Sequence, residues 1–378
     1  MAKKLISKRL NSKAVINRMR VDSLPYSVFS GNNDILPFGV DNLYPTRVLT
    51  AIRKSPTSLG CIKRQSEFIM GEGFANGVGD IVVNCRGETL NDIAWQVIRY
   101  GYCDLYGFAL HLNFNSLGQI CEIFAVNLEY IRKHRDLNRV DYGIWAVNGN
   151  SFLTGEYVTV DLYGSLDPLE RIAEEGFDKY KGQVLYYSKD SEIYPTSPLD
   201  SAIISASYER EAQLYPYSNI KNGFSGNTII KYPTIAQGEE GQEEIDKITK
   251  DLEALHGAEN AGHSVVVQVP VGSGGDPKDF KMVENLSPTN IDGLFTNQNA
   301  KAENDILKVY NMPKVLLGIS DQGMFNAASF NDAFNYKNSD TESDRKAIER
   351  VFNKVLAKSC FGVTKTEITP LKMRGQAL

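Results

Sequence analysis

The sequence is poor in the residues that cross-link chains or hold metal ions. Its five cysteines lie far apart and form no CxxC pair, and its four histidines are scattered. Zinc sites need such ligands at short spacing, and disulfide frameworks need an even set. The sequence therefore predicts no structural metal and no disulfide framework, which fits a reducing compartment.

Long hydrophobic runs are also missing. No segment approaches the roughly 20 apolar residues of a membrane span, and the lysine-rich N-terminus lacks the apolar stretch of a secretion signal. The 378 residues, of which 42% are hydrophobic and 23% charged, have the composition of a soluble globular protein with room for two or three domains. We expect an intracellular protein with no membrane partner.

Catalytic motifs are incomplete wherever they begin. HRDLNRVD (134–141) is similar to a kinase catalytic loop, but Asp141 stands where that loop needs asparagine. GEGFANG (71–77) follows a predicted helix, and VGSGGDPKD (271–279) lacks the GK[ST] of a phosphate loop. No GxSxG nucleophile motif occurs. We predict no enzymatic activity and no cofactor, and a nucleic-acid-processing enzyme is the less favoured alternative.

Charge is distributed unevenly around a mild net value of −5. Residues 1–20 contain seven Lys or Arg and no acid, whereas residues 238–262 contain eight acids and two lysines. The basic arm is interpreted as a solubilising tail or, less favoured, as an arm that docks on an acidic partner. The net charge gives no sign of a general nucleic-acid-binding surface.

The first half of the chain predicts an α+β domain with antiparallel strands in a meander. A helical pattern runs from about 43 to 68, and a second one covers about 89 to 102. Short segments rich in β-branched and aromatic residues follow, separated by turn residues. These predicted strands are YGFALHLN, QICEIFAVN, DYGIWAVNG, GEYVTV and QVLYYSK.

The second half predicts two long helices on either side of a small insert. The first helix starts at Pro198 after a Ser197 cap, and Pro216 is expected to kink it or end it early. Residues from about 225 to 285 predict a βαβ-like insert whose helix is acidic. A helix resumes at Pro288, and a thin subunit cannot bury its apolar stripe alone. We therefore expect this stripe to be buried against further copies of the chain.

The segment YNMPKVLLGISDQGMFNAASFNDAF (310–334) breaks the pattern sharply. Pro313 is predicted to end the second helix, and one long helix is predicted from Asn326 to about Lys358. Between them, glycines supply backbone freedom, so residues 314–326 predict a mobile loop. A packed connection through VLL (315–317) is the alternative, and both descriptions can hold, with the apolar half as an anchor.

Together these elements resemble the portal (head–tail connector) proteins of tailed bacteriophages. The most specific element is VYNMPKVLLG, which in that family is a helix end followed by Pro and Leu-Leu-Gly. The resemblance covers most of residues 40–358. It is carried by IYPTSPLDSAIISASYEREAQLYPYSNIKNGF, AENDILKVYNMPKVLLGI, SFNDAFNYKNSDTESDRKAIERVFNKVL and DLYGFALHLNFNSLGQICEIFAVNLEYIR.

The resemblance implies a ring, commonly of twelve subunits, at one capsid vertex, through which DNA is packaged and ejected. It implies a virion protein that resides in the host cytoplasm during assembly. The implied partners are copies of the chain, the major capsid protein, the terminase large subunit, a head–tail adaptor and double-stranded DNA that passes non-specifically. Another structural head–tail or tail component is the alternative.

The resemblance also divides the chain, and the short tail after Cys360 leaves at most a minimal crown. The implied parts are an N-terminal arm and wing (1–197), a first stem helix (198–224), a clip (225–287), a second stem helix (288–312), a tunnel loop (313–326), and a long wing helix with a tail (327–378).

Candidate site residues fall into three groups. The ring interface of the second stem helix is predicted at Ile291, Leu294, Ile306 and Val309. The partner-docking surface of the clip is predicted at Glu239, Glu240, Glu243 and Glu244. The tunnel loop is predicted to present Lys314, Gly318, Ser320, Asp321, Gln322, Gly323 and Asn326 to the channel.

Overall fold

The computed structural model describes the fold in several stretches of the chain. For residues 219–220, 228–234, 264–270, 283–285 and 291–296 it describes the backbone alone. The described stretches are residues 35–39, 42–143, 145, 157–191, 193–221, 228–234, 264–270, 283–285, 291–319 and 327–373. The helices are α1 (Tyr44–Lys54), α2 (Pro56–Met70), α3 (Leu90–Val97), α4 (Pro168–Glu175), α5 (Ile203–Lys221), α6 (Ile291–Val309), α7 (Ala327–Asp340) and α8 (Glu342–Leu356).

The strands of the described residues form three separate sheets. In chain order they are β1 (Gly73–Phe74), β2 (Gly107–Phe114), β3 (Ile120–Val126), β4 (Ile131–Lys133), β5 (Arg139–Tyr142), β6 (Val158–Leu162), β7 (Gln183–Ser188), β8 (Thr228–Thr234), β9 (Ser264–Pro270), β10 (Val283–Asn285) and β11 (Ile368–Thr369). This mixture of helices and sheets agrees with the predicted α+β class.

The predicted helix over 43–68 is in fact two helices. Its break lies at Ser55, whose backbone is extended and whose hydroxyl accepts a 3.1 Å hydrogen bond from the amide of Ser58. Pro56 then occupies the first position of α2, where its missing N–H is no loss. The Ser-Pro pair therefore ends α1 and begins α2, and the helical spacing alone did not reveal this break.

The second predicted helix is confirmed. Thr89 caps α3 in a capping box with Asp92, and the helix passes into a π-helical turn from Ile98 to Tyr102. That turn brings the chain to β2, the second strand from one edge of the main sheet.

The main sheet has six strands in the order β3-β2-β7-β6-β5-β4. Its pairs are antiparallel except β6 and β7, which run parallel with Asp161 opposite Gln183. The predicted antiparallel meander is therefore wrong at this step. Helix α4 makes the crossover, since parallel neighbours need a long connection, and the sequence analysis missed this helix.

One core lies between the main sheet and helices from both ends of the chain. Phe352 of α8 is fully buried, with its ring centroid 5.2 Å from that of Phe74 and 6.4 Å from that of Phe108. Burying a side chain of this size contributes roughly 1.5–3 kcal/mol. Strand β1 also pairs with β11, placing Phe74 opposite Ile368. We call this structure, formed by the described residues within the ranges 42–221 and 297–373, the body.

The insert contains a three-stranded sheet in the order β10-β8-β9. β8 and β9 are parallel, with Thr228 opposite Ser264, and β10 pairs antiparallel with β8. The parallel pair agrees with the predicted βαβ-like insert, whose acidic helix lies outside the described residues.

Two predictions about helix continuity are corrected. α5 does not end early, because it contains Pro216 and runs on to Lys221. The predicted long helix after 326 is divided into α7 and α8 at Thr341. There the hydroxyl of Thr341 donates a 2.9 Å hydrogen bond to the carbonyl oxygen of Lys337. Such bonding of a Thr side chain to the preceding turn often bends a helix.

Candidate functional site

The candidate site is the junction that follows α6, because the predicted channel loop begins there with Lys314 and Gly318. α6 ends at Val309, and Asn311 then adopts a left-handed conformation with φ 46°. The amide of Met312 donates to the carbonyl of Leu307 at 2.9 Å, and the amide of Asn311 donates to that of Lys308 at 3.2 Å. This is a Schellman ending. Asn311 therefore stops the helix, and Pro313, which was predicted to do so, follows the stop.

The apolar run after Pro313 is packed against the body. Lys314–Leu317 form a 3₁₀ turn in which Leu316 is buried. Arg64 Nε of α2 donates a 3.0 Å hydrogen bond to the carbonyl of Leu316. Val315 and Leu317 also contact the core. The first half of the predicted loop is thus an anchor, as the packed alternative required.

The anchor ends at Gly318. This residue has φ +79°, and a Cβ added there would meet no atom within 4 Å. The amide of Ile319 donates to the carbonyl of Lys314 at 3.2 Å, and the amide of Gly318 donates to that of Val315 at 3.2 Å, which gives a second Schellman ending. The turn therefore ends at a position suited to glycine. The remaining predicted loop residues lie outside the described residues: Ser320, Asp321, Gln322, Gly323 and Asn326.

Lys314, predicted to lie near DNA, is directed back along α6. Its Nζ is 3.5 Å from Oε1 of Glu303, and its side chain is 29% exposed. The contact is a long, partly exposed ion pair, a class of contact that contributes little to stability. Lys314 is thus a partly neutralised cation at the base of the loop.

Buried polar side chains join α6, α7 and α8, and the sequence analysis did not identify them. Lys337 is fully buried, and its Nζ donates 2.7 Å hydrogen bonds to the carbonyl of Tyr310 and to Oδ2 of Asp340. Arg345 donates to the carbonyl of Phe68 at 2.7 Å and to that of Asn338 at 2.6 Å. Lys337 follows Phe330 and Phe334 on the apolar stripe of α7. That position was the available signal of burial.

A second buried contact ties α5 to α2. Ser55 Oγ donates a 2.5 Å hydrogen bond to Oε2 of Glu209, and the amide of Thr57 donates to the same oxygen at 3.4 Å. The Glu209 carboxylate thereby accepts from the N-terminal turn of α2, where negative charge is favourable. The predicted first stem helix is therefore fixed to the body near its start.

The predicted ring-interface residues of α6 are placed differently from one another. Ile306 is completely buried in the core of its own chain, so the prediction is corrected at this residue, because its side chain is already covered. Val309 is partly buried and packs against that core. Ile291 and Leu294 lie in the part of α6 described by its backbone alone. The predicted clip residues lie outside the described residues: Glu239, Glu240, Glu243 and Glu244.

The described residues offer little reactive chemistry. Burial raises the pKa of the Cys61 thiol to about 12 and that of Cys103 well above its usual value. Both thiols are therefore uncharged and unreactive at neutral pH. Within the described stretches, no group of three or more His, Cys, Asp or Glu side chains could hold a metal ion. No helix among them is long and apolar enough to span a membrane.

Comparison with solved structures identifies the fold. A chain in the structure titled "Virion of native gene transfer agent (GTA) particle" matches with TM-score 0.52 and 17% identity over 90% of this chain and 86% of that one. A chain in "Neck of native GTA particle computed with C12 symmetry" matches with TM-score 0.50 and 18% identity over 86% and 84%. The chain has the fold of these particle proteins.

Other comparisons are weaker or negative. An HK97 family phage portal protein from Corynebacterium diphtheriae matches with TM-score 0.39 and 13% identity over 82% of this chain and 89% of that one, too low to carry an argument. The chain matches no protein-family model and none of the curated proteins. The resemblance stated from the sequence is confirmed at the level of the fold.

Proposed function

We propose that the chain is a portal subunit, which forms a ring at one capsid vertex and conducts DNA during packaging and ejection. The observation that carries this proposal is the shared fold with a chain of the GTA neck, over 86% of the present chain. A fold alone does not imply a function. The surface and charge of the described residues therefore supply further support.

Exposed apolar side chains on α5 favour assembly into a ring. Ile204 is 82% exposed and Tyr217 is 60% exposed, although the body has a core of its own. Tyr336 on α7 is 54% exposed. Contacts between different faces of identical subunits produce closed rings when the rotation closes. The neck structure was computed with C12 symmetry, which supports twelve as the proposed number of copies.

The junction after α6 suits the base of a channel loop. We assign residues 320–326 to a loop that projects into the bore, and the anchored turn that ends at the left-handed Gly318 supports this assignment. Lys314 is paired with Glu303, so each subunit adds little adhesive charge at this point. Weak attraction to DNA suits a conduit. Each contact with a phosphate releases counterions, which strengthens binding and would hold the DNA in place.

The insert and the body are assigned different partners. We assign residues 225–287 to the clip, whose glutamates dock the terminase large subunit and later the head–tail adaptor. We assign the wing part of the body to contacts with the major capsid protein. In this proposal the protein is assembled in the host cytoplasm and resides in the virion, and it has no catalytic role.

The first experiment is to measure the mass and image the purified full-length protein. Twelve copies of the 42.1 kDa chain have a mass of about 505 kDa. Mass photometry should show one species near this value, and negative-stain images should show rings with a central hole. A monodisperse monomer or two-fold dimer at micromolar concentration would overturn the proposal.

A second experiment separates the portal from another head–tail or tail component. Antibodies against the chain, imaged on intact particles, should label a single capsid vertex. Labelling along a tail, or a ring whose loss leaves DNA packaging unchanged, would favour the alternative.

A further inference from the structure

A large cavity opens beside the ends of β6 and β7, away from the junction after α6. Its volume is about 750 Å³, within the usual range of ligand sites. The turn between β4 and β5 and the outer face of α8 complete its walls. Four separate parts of the chain therefore converge on one concave surface.

Lysines supported by tyrosines dominate this cavity. Lys354 of α8, which lines the cavity, and Lys358, just beyond the end of α8, lie over the ring of Tyr163, with their Nζ atoms 5.3 and 5.5 Å from the ring centroid. On another wall, Nζ of Lys133 is 4.1 Å from the centroid of Tyr186. Cation–π contacts hold ammonium groups in place while leaving them able to accept an anion. Among the described residues, Lys354 and Lys358 have no carboxylate partner.

The remaining charges of the cavity are mixed. Lys189 is neutralised by Asp344, with Nζ 2.9 Å from Oδ1. Asp136 is paired with Arg139 at 3.2 Å. Asp190 lines the same wall and is exposed. The cavity is therefore positive on its α8 side, and on its β7 side the carboxylate of Asp190 can accept hydrogen bonds.

Two hydroxyl groups at the cavity have unmet hydrogen-bonding capacity. The buried Tyr163 hydroxyl and Ser188 Oγ have no partner in the described structure. Buried polar groups are normally paired, because an unpaired one costs roughly 1–3 kcal/mol. Both residues line the cavity, so a polar ligand seated there would supply the missing partners.

We propose that this cavity binds an extended acidic peptide segment of a partner protein. Carboxylates of the segment pair with Lys354 and Lys358, and its backbone N–H groups donate to Asp190 and to the two hydroxyl oxygens. A DNA duplex fits less well, because it is too wide for a concavity of this size and because Asp190 repels phosphate. The proposal concerns the body alone and does not depend on the portal function.

The test uses the full-length protein and three fluorescent ligands, measured by anisotropy. They are a ten-residue peptide of alternating Glu and Ala, the same peptide with Lys in place of Glu, and a short DNA duplex. We expect only the acidic peptide to bind. Its affinity should fall substantially between 50 mM and 500 mM salt, since salt screens exposed charges. Failure of the acidic peptide to bind, or binding of the duplex in preference to it, would overturn the proposal.

Variants locate the binding in the cavity. Lys354→Glu/Lys358→Glu should weaken peptide binding at least tenfold, because both side chains are exposed and their reversal leaves the core intact. Lys54→Glu/Lys63→Glu is the matched control, with the same charge change at exposed positions on α1 and α2. Equal weakening in the two double variants would show that only the net charge matters and would refute the site.

A variant of unchanged charge tests the hydroxyl. Tyr163→Phe keeps the ring under the two lysines and removes the oxygen, and we expect affinity to fall about threefold. An equal fall for Tyr142→Phe, an exposed tyrosine that does not line the cavity, would contradict the assigned contact.

Discussion

Nζ of Lys337 lies 2.7 Å from the carbonyl oxygen of Tyr310, so a fully buried ammonium group on α7 holds the end of α6. The two residues are 27 positions apart, on opposite sides of the predicted tunnel loop. The helices on the two sides of the predicted loop are therefore bonded to each other. This bond makes the junction a fixed base.

The first prediction follows from this bond. Lys337→Met should lower the free energy of unfolding by about 2–4 kcal/mol, because it leaves a buried carbonyl and the Asp340 carboxylate without their donor. Urea denaturation followed by circular dichroism measures the change. Lys346→Met, at an exposed position on α8, serves as the control and should change stability by less than about 0.5 kcal/mol. Equal stability of the two variants would contradict the assigned role.

The second prediction concerns pH. Burial raises the pKa of Asp104 to about 6, against the opposing effect of Arg99 and Arg53. This pKa lies above the value of about 3.9 for an exposed aspartate. The contribution of Asp104 to stability is therefore fully present below about pH 4 and is lost as pH rises through 6. The change in the free energy of unfolding caused by Asp104→Asn should therefore be more stabilising at pH 8 than at pH 4, by roughly 1–3 kcal/mol.

The measurement for Asp104 compares unfolding free energies of wild type and variant across this pH range. Asp178→Asn, at an exposed position, is the control for the removal of one carboxylate. A difference between wild type and Asp104→Asn that stays the same from pH 4 to pH 8 would contradict the raised pKa of Asp104.

The third prediction tests the loop. Gly318→Ala/Gly323→Ala should leave ring assembly nearly unchanged and reduce DNA packaging or retention. At Gly318, φ +79° disfavours alanine by about 1 kcal/mol, enough to alter how the loop leaves the body. Full packaging by this double variant would contradict a moving loop.

A matched control exists for these glycines. Gly164 and Gly362 also have positive φ values, +86° and +75°, and a Cβ at either would meet no atom within 4 Å. Gly164→Ala/Gly362→Ala introduces similar strain far from the loop and should package normally. Impaired packaging in the control would point to general destabilisation.

The fourth prediction concerns the proposed ring contact. Ile204→Asp should weaken assembly at least tenfold without unfolding the subunit, because its side chain is 82% exposed. Analytical ultracentrifugation over a range of concentrations measures the shift from ring to monomer. Leu117→Asp is the control, since Leu117 is 73% exposed on the turn after β2 and lies outside α5. Rings that tolerate Ile204→Asp would remove this face of α5 from the interface.

The fifth prediction concerns partner docking. Reversing the charges of the proposed clip glutamates to lysine should weaken binding of the terminase large subunit or of the adaptor and leave the ring intact. The four positions are Glu239, Glu240, Glu243 and Glu244. A pull-down with each purified partner measures the effect.

A control for the clip reverses four exposed acids of the body. Partner binding should then be retained, and unchanged binding in both variants would mean that the clip acids are simply solvated. The control positions are Glu72, Glu170, Asp178 and Glu367.

Local signals predicted most of the elements. The helical spacing predicted α3, and the segments rich in β-branched and aromatic residues predicted β2, β3 and β7. The predicted helix bounds were wrong where a short feature interrupted a regular helical pattern. Ser55 and Pro56 divide the first helix, and Thr341 divides the last one without a proline or glycine to announce it. The parallel step from β6 to β7 was missed together with α4, because an eight-residue helix gives only a weak periodic signal.

The polar contacts of the body could not have been predicted locally. Arg345 donates to a carbonyl 277 residues away, and Tyr102 donates to Asp344 across 242 residues. Charged residues on helices are usually solvated, so sequence alone gave no reason to bury these. The loop anchor was better predicted, because three consecutive apolar residues beside a proline favour packing wherever the chain turns.

The pairing of β1 with β11 has a consequence for synthesis of the chain. Phe74 emerges from the ribosome almost 300 residues before its partner Ile368, and Phe352 of the shared core emerges nearly as late. The insert strands can pair as soon as residue 285 has left the tunnel, whereas the body must wait for α8. Until α8 and β11 have been synthesised, Phe74 and the apolar side chains around it lack the residues that cover them, and such exposed surface favours aggregation. Completion of this core therefore waits for the last elements that contribute to it, whatever order the earlier elements form in.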